Sequence, residues 1–298
     1  MSMIALVLPD FLLIGLGWVL LHLLNYRNDF FTTAERLVYY ILFPALLFSS
    51  IVRAPLSLGE ASTLIAATTA VTAVGIALAW LAVPVLRPAP LIQASLAQCA
   101  YRFNTYMALS LSLSMGGPEG QALMAVIVGC AVPLVNAAAV AGLARRQDSR
   151  IFVEVLRNPF ILATLAGVFF NLLEIPVPVF IMDTMQRLGA GAIVIGLICV
   201  GATLSIQGLD AAAKVMGWMI AIRLVAMPLA ALTVAAILPL SVLEKQMLLL
   251  FSTLPTASAA YILAARMGGD GRSVAVTVSL ATMLSALTIP LWMQLHPL

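Results

Sequence analysis

The sequence predicts an all-α, polytopic membrane protein of ten spanning helices, arranged as two inverted five-helix repeats. Three observations carry this expectation. Of 298 residues, 63% are hydrophobic and 9% charged, with a mean hydropathy of +1.10; a soluble domain is about half apolar and a quarter charged. Apolar runs of about 20 residues, each able to cross roughly 30 Å of hydrocarbon as a helix, recur with short polar interruptions and leave no room for a soluble domain. Finally, the chain resembles itself at half its length.

Segment 1 (3–24) has no basic stretch before it and no small-residue cleavage site, so it is expected to be a retained helix and not a signal peptide. Segment 2 (36–52) holds Pro44 in Tyr39-Tyr40-Ile41-Leu42-Phe43-Pro44, which reads as a kink, with the neighbouring aromatics, Tyr40 among them, as candidate cavity walls. Segments 3 (62–86), 4 (91–115) and 5 (120–144) complete the first half. The basic loop Arg145-Arg146-Gln147-Asp148-Ser149-Arg150 at the midpoint leads into 151–158, which reads as a short amphipathic surface helix. Segments 6 (159–173), 7 (188–206), 8 (214–238), 9 (244–267) and 10 (272–295) follow.

With the N-terminus outside, the inner loops hold Arg27, Arg36, Arg87, Arg145, Arg146, Arg150, Arg157, Lys214, Arg266 and Arg272, against Arg53, Arg187 and Lys245 outside. That bias predicts both termini outside. Cys99, Cys130 and Cys199 all fall inside apolar runs without metal-ligand spacing, so they read as packing residues and no metal site is expected.

Residues 9–24 can be laid on 158–173 without a gap, at an offset of 149. Met115-Gly116-Gly117-Pro118-Glu119-Gly120 corresponds to Met267-Gly268-Gly269-Asp270-Gly271, closing segments 4 and 9 at an offset of 152. The repeats are thus expected at 1–149 and 150–298. Five helices per half is an odd number, so the second copy enters the membrane from the opposite face, an arrangement typical of secondary transporters.

Chemistry is expected where these repeats place polar residues at depth. Arg102 and Asn104 lie roughly 15–20 Å into segment 4, where an arginine costs at least about 2.5–3.5 kcal/mol unless it faces water or a partner. Arg102 reads either as lining a substrate cavity or as bonding freed backbone carbonyls. The 152-residue offset carries Asn104 onto Thr256 and Phe103 onto Pro255, the latter within Thr253-Leu254-Pro255-Thr256-Ala257-Ser258. A helix-interior proline frees a carbonyl that hydroxyl side chains can satisfy. Two unwound points at equal depth would present half-helix N-termini that favour an anion. The candidate substrate-binding set is therefore Arg102, Phe103, Asn104, Thr105, Thr253, Pro255, Thr256 and Ser258. Additional cavity candidates are Tyr40, Pro44, Asn136 and Arg223; Asn136 could instead be an interhelical hydrogen bond to segment 4, and Arg223 could snorkel. His22 reads as interfacial. Acidic residues, including Asp10, are read at segment ends or in loops, and no catalytic constellation is evident, so an enzyme is not expected.

The runs Phe11-Leu12-Leu13-Ile14-Gly15-Leu16-Gly17, Phe43-Pro44-Ala45-Leu46-Leu47-Phe48, Arg157-Asn158-Pro159, Leu254-Pro255 and Gly268-Gly269-Asp270, in this order, resemble the auxin efflux carrier (PIN-like) family in its short bacterial form. The resemblance implies a fold similar to bile-acid symporters and sodium/proton antiporters, with segments 4 and 9 broken and crossing at the substrate site. It further implies a scaffold domain of segments 1, 2, 6 and 7, which often forms a homodimer, and a moving transport domain of segments 3–5 and 8–10. The family's crossover asparagine falls on Asn104 and its segment 9 proline on Pro255; plant carriers also have a proline in the segment 4 crossover, which this chain lacks.

The expected function is a carrier in the bacterial cytoplasmic membrane that moves a small organic anion, a mono- or dicarboxylate such as malonate, by elevator-type alternating access. An auxin-like aromatic carboxylate, or a channel or sensor on the same fold, are the alternatives. The expected partners are the substrate anion, the bilayer and a second copy of the chain, with no nucleic acid. No cofactor is expected; a proton or a sodium gradient are both open as driving force.

Overall fold

A computed structural model describes residues 3–53, 58–143, 159–204 and 212–295. Among the described residues the regular structure is all helix, with no strand. Helix α1 (Met3–His22) is followed by α2 (Asn28–Leu37), which runs through a π-helical turn (Val38–Leu42) into α3 (Phe43–Val52). Then come α4 (Leu58–Leu86), α5 (Pro90–Tyr101) and α6 (Thr105–Leu143). The second half holds α7 (Pro159–Leu172), α8 (Val179–Ala202) and α9 (Ala213–Ala221), which continues through a second π turn (Ile222–Ala226) into α10 (Met227–Ile237). Helices α11 (Val242–Thr253), α12 (Ala259–Arg266) and α13 (Gly271–Leu295) close the chain.

Seven stretches among the described residues are long and apolar enough to cross a membrane, and many large apolar side chains, such as Leu12, Phe180, Ile237 and Leu287, face outward. This is an all-α, multi-pass membrane protein. By length and composition the count is seven where ten were expected, for three reasons. Expected segments 4 and 5 fall in one stretch, Pro90–Leu143; segment 6, described over Pro159–Leu172, is too short to count among the described residues; and segment 9 is split into α11 and α12.

Two starts move relative to expectation. Segment 2 begins at Asn28 and not at 36, because α2 is amphipathic and its polar face lowers the average hydropathy of a stretch that is nonetheless helical. Segment 7 begins at Val179 and not at 188, directly after Pro178; there Asp183 interrupts the apolar run and pairs with Arg53 at 3.8 Å. The basic loop 145–150 and the expected surface helix 151–158 lie outside the described residues.

Small residues let the first helices of each half approach closely. A Cβ added at Gly17 of α1 would run into the Ile198 carbonyl of α8, and one at Gly201 into the Ile14 carbonyl. In α7, a Cβ at Gly167 would sit 3.0 Å from Ile51 Cβ and 3.4 Å from the Phe48 carbonyl of α3. Such small-residue contacts are how helices pack where lipid gives no hydrophobic drive.

The second π turn is held from outside. Its Leu224 carbonyl accepts the Trp292 indole N–H at 2.9 Å, and a π turn leaves such groups in need of partners.

Candidate functional site

Helix α5 stops at Tyr101 because Arg102 takes an extended conformation (φ −72, ψ 149); α11 stops at Thr253 because Leu254 does the same (φ −63, ψ 147). Each of these helices is 12 residues long. The break in segment 4 forms without a proline. Past the breaks, glycines in the left-handed region end the run: Gly117 at φ 61 kinks α6, and Gly268 at φ 69 follows α12. A residue with a Cβ enters that region only with strain.

The two interruptions touch. The Asn104 N–H donates to the Pro255 carbonyl at 2.8 Å, and the Phe103 ring meets Phe251 edge-on with centroids 4.7 Å apart. Asn104 then restarts the helix: its Oδ1 accepts from the Tyr106 and Met107 N–H groups at 3.0 and 3.2 Å, a side-chain N-cap for α6. The second restart is different. Ser258 precedes α12 and makes no side-chain cap.

A cavity of about 1050 Å³ adjoins the breaks, at the end of the molecule where α1 finishes and α2 begins. It brings together Arg102, Phe103, Asn104, Thr105, Tyr40, Asn136 and Ser258 from the expected set. Thr253, Pro255 and Thr256 do not line it; they are buried behind the break, with the Thr256 hydroxyl lacking a hydrogen-bond partner. Pro44 does not line it either and stands at the first turn of α3, immediately after a π turn.

Arg223 is also away from the cavity, and it neither snorkels nor meets solvent. It is fully buried, and its guanidinium donates to the carbonyls of Leu254 (2.7 Å), Phe251 (2.6 Å) and Ser252 (2.9 Å). These are the carbonyls that α11 leaves open where it ends. Arg223 thus caps the second break from behind.

Arg102 is buried at 6% exposure, lines the cavity and donates from Nη2 to Asn136 Oδ1. Its Nε is buried without a partner. Asn136 therefore makes the interhelical hydrogen bond and faces the cavity as well. The charged side chains on the wall are Arg36, Arg102 and Arg272 against Glu35, so positive charge predominates.

Sequence reasoning missed the α2 face. Asn28, Phe31, Thr32, Glu35 and Arg36 recur at helical spacing along the cavity wall; that period was the available signal, and Tyr39, one of the aromatics before Pro44 read as cavity walls, continues it. Tyr39, Phe160 and Tyr106 add aromatic surface, with Phe160 stacked on Phe43 at 4.5 Å. His22 lines the outer part of the same cavity, stacked on Trp18 at 4.8 Å. Asp10 is a correction: it is not an end residue but is buried at 3% exposure within α1. Cys99 and Cys199 are buried and Cys130 is partly buried.

Comparison with known proteins follows the same line. The family model described as "Membrane transport protein" matches residues 143–293, half of the chain. A Rhizobium meliloti (strain 1021) protein named "Putative malonate transporter" is 26% identical over 304 aligned residues, covering 95% of this chain and 92% of its own length. The chain, with its apolar helices and interrupted pair of segments, belongs to this membrane transport family, the auxin efflux carriers.

Proposed function

We propose that the protein is a secondary carrier for a small organic anion, a mono- or dicarboxylate such as malonate, and that Arg102 and Asn104 form the core of its binding site. The observation that carries this reading is Arg102: a cation buried on a cavity wall, bonded through Nη2 and with its Nε unmatched. Such a group in a membrane interior calls for an anionic partner. Phe103, Thr105 and Ser258 complete the wall next to it, while Thr253, Pro255 and Thr256 shape the break. The name of the Rhizobium meliloti relative agrees with a dicarboxylate.

The chain is read as ten segments in two inverted repeats. What supports the repeat is matched geometry. Helices α5 and α11 begin 152 residues apart and end 152 residues apart, in the same conformation. The close contact of Gly17 with Ile198 has a counterpart in Gly167 with Phe48, each residue displaced by 150 from its mate. Those two contacts join segment 1 to 7 and 6 to 2, which fits a scaffold of these four, through which two copies would associate. Segments 3–5 and 8–10 would then move as the transport domain in an elevator cycle. With both termini outside the cytoplasmic membrane, the cavity opens inward.

The aromatic surface of Tyr39, Tyr106 and Phe160 favours one second reading, an aromatic carboxylate as substrate.

The test is a thermal-shift and binding screen of aliphatic and aromatic carboxylates on purified protein, with Arg102→Ala and Asn104→Ala in parallel, followed by counter-exchange in liposomes. Saturable exchange of the best ligand, weakened in both variants, is expected. Equal binding by both variants refutes the site, and non-saturating ion conductance refutes the carrier.

A further inference from the structure

Tyr106 is the second residue of α6 and lines the cavity. Its ring lies against Gly196 of α8: a Cβ built on that glycine would stand 2.5, 2.6 and 2.7 Å from the ring atoms Cδ1, Cε1 and Cγ. Non-bonded carbon atoms settle about 3.5–4.0 Å apart, so the ring fills a notch that exists because residue 196 is glycine. The same ring meets Phe43 of α3 edge-on, with centroids 5.4 Å apart. Phe43 is fully buried and is itself stacked on Phe160 of α7 at 4.5 Å, which leaves the seat a firm second wall.

This contact differs from the close glycine contacts of α1 and α7. Gly17 with Ile198, Gly201 with Ile14 and Gly167 with Ile51 all join segments read as scaffold. Gly196 instead receives an aromatic ring from α6, whose start belongs to the break in segment 4. Four residues on, one turn along the same face, Ser110 donates to Asp10 of α1 at 2.6 Å. That face of α6 is therefore fixed at two points.

The backbone carries the seat to the site. The Tyr106 N–H donates to Asn104 Oδ1 at 3.0 Å, and Met107 adds a second N–H at 3.2 Å. The other end of that amide, Nδ2, is buried with no hydrogen-bond partner. A methyl group in the notch would displace the ring by about 1 Å to restore ordinary contact. With Phe43 on the ring, the shift passes to the Tyr106 backbone and through its N–H to Asn104.

We propose that Tyr106 is a positioning residue for the substrate site: its ring, seated in the notch at Gly196, sets the orientation of the Asn104 side chain toward the substrate anion. The inference rests on the carrier reading above, in which Asn104 belongs to the binding site. The effect runs through Asn104 and needs no contact between the ring and the anion.

Malonate titrations on purified protein, with melting temperatures alongside, test it as double-mutant cycles; the best-bound carboxylate of the screen replaces malonate if malonate does not bind. Gly196→Ala should weaken binding about tenfold. Gly191→Ala, on the same helix with its new methyl 4.0 Å from Leu42, should leave binding unchanged. In a Tyr106→Ala or an Asn104→Ala background Gly196→Ala should cost nothing further, because either the ring or the group it positions has gone. Wild-type affinity in Gly196→Ala, equal weakening by Gly191→Ala, or the same loss from Gly196→Ala in either background overturns the inference alone. Should Gly196→Ala not fold, Tyr106→Phe decides against Tyr106→Ala: keeping the ring should keep most of the affinity, and equal losses overturn the proposal. A wild type that binds neither malonate nor any other carboxylate removes the carrier reading and the positioning role with it.

Discussion

The two helix breaks, 102–104 and 254–258, share a backbone and divide the work of their side chains. In the first, the arginine belongs to the break itself and lines the cavity, and an asparagine caps the helix that restarts. In the second, the position equivalent to Arg102 is Leu254, and the arginine comes from a neighbouring helix to hold the carbonyls from behind. On the proposed function, the first arm serves recognition, while the second is held together by Arg223. Two helix breaks can thus take one backbone conformation while their side chains differ.

Exchanging or deleting these groups should break or sharpen that contrast. The largest effect is expected from Arg223→Met, which orphans three buried carbonyls at about 1–3 kcal/mol each. The melting temperature of the purified protein should fall steeply, with Arg223→Lys falling less; a variant that melts like wild type would erase the distinction between the arms. Arg102→Ala comes next and acts on a different quantity. Losing a charge-assisted hydrogen bond of about 1.5–3 kcal/mol should weaken carboxylate binding by about one to two orders of magnitude, with the melting temperature nearly unchanged. Affinity and melting measured on one preparation decide it.

Smaller effects separate the two restarts. Asn104→Ala removes the α6 cap and should cost about 1 kcal/mol of stability in addition to weakening binding. Ser258→Ala removes a hydroxyl that caps nothing and should stay within about 0.5 kcal/mol. Equal melting losses for the two would mean that both restarts depend on a side-chain cap.

Much of the helix plan was legible in the apolar runs, because lipid demands long unbroken stretches and the sequence spells them out. The breaks were legible less evenly. Pro255 announces one of them, whereas the interruption at Arg102 has no residue that forces it and shows itself only where the Asn104 N–H meets the Pro255 carbonyl. The role of Arg223 was hidden because its partners are main-chain carbonyls, which no residue type advertises. The α2 wall was missed because a run of Asn, Asp, Thr and Glu reads as a loop until its helical period is noticed. Asp10 was misplaced because proximity to a terminus says nothing about burial by α6.

The π turn at Ile222–Ala226 has a bearing on how this arrangement tolerates length changes. Arg223 is its second residue. A π turn accommodates one residue more than the α-helical path around it, and one residue is about 100° of helical rotation. Deleting a single residue there would regularise the helix and swing either Arg223 or the whole of α10 out of register with α11. An insertion or deletion in this turn is therefore not a neutral change of loop length, as it would be at a surface. It would act like turning a key in a lock, and relatives that differ in length across these five positions should also differ in how they close the second break.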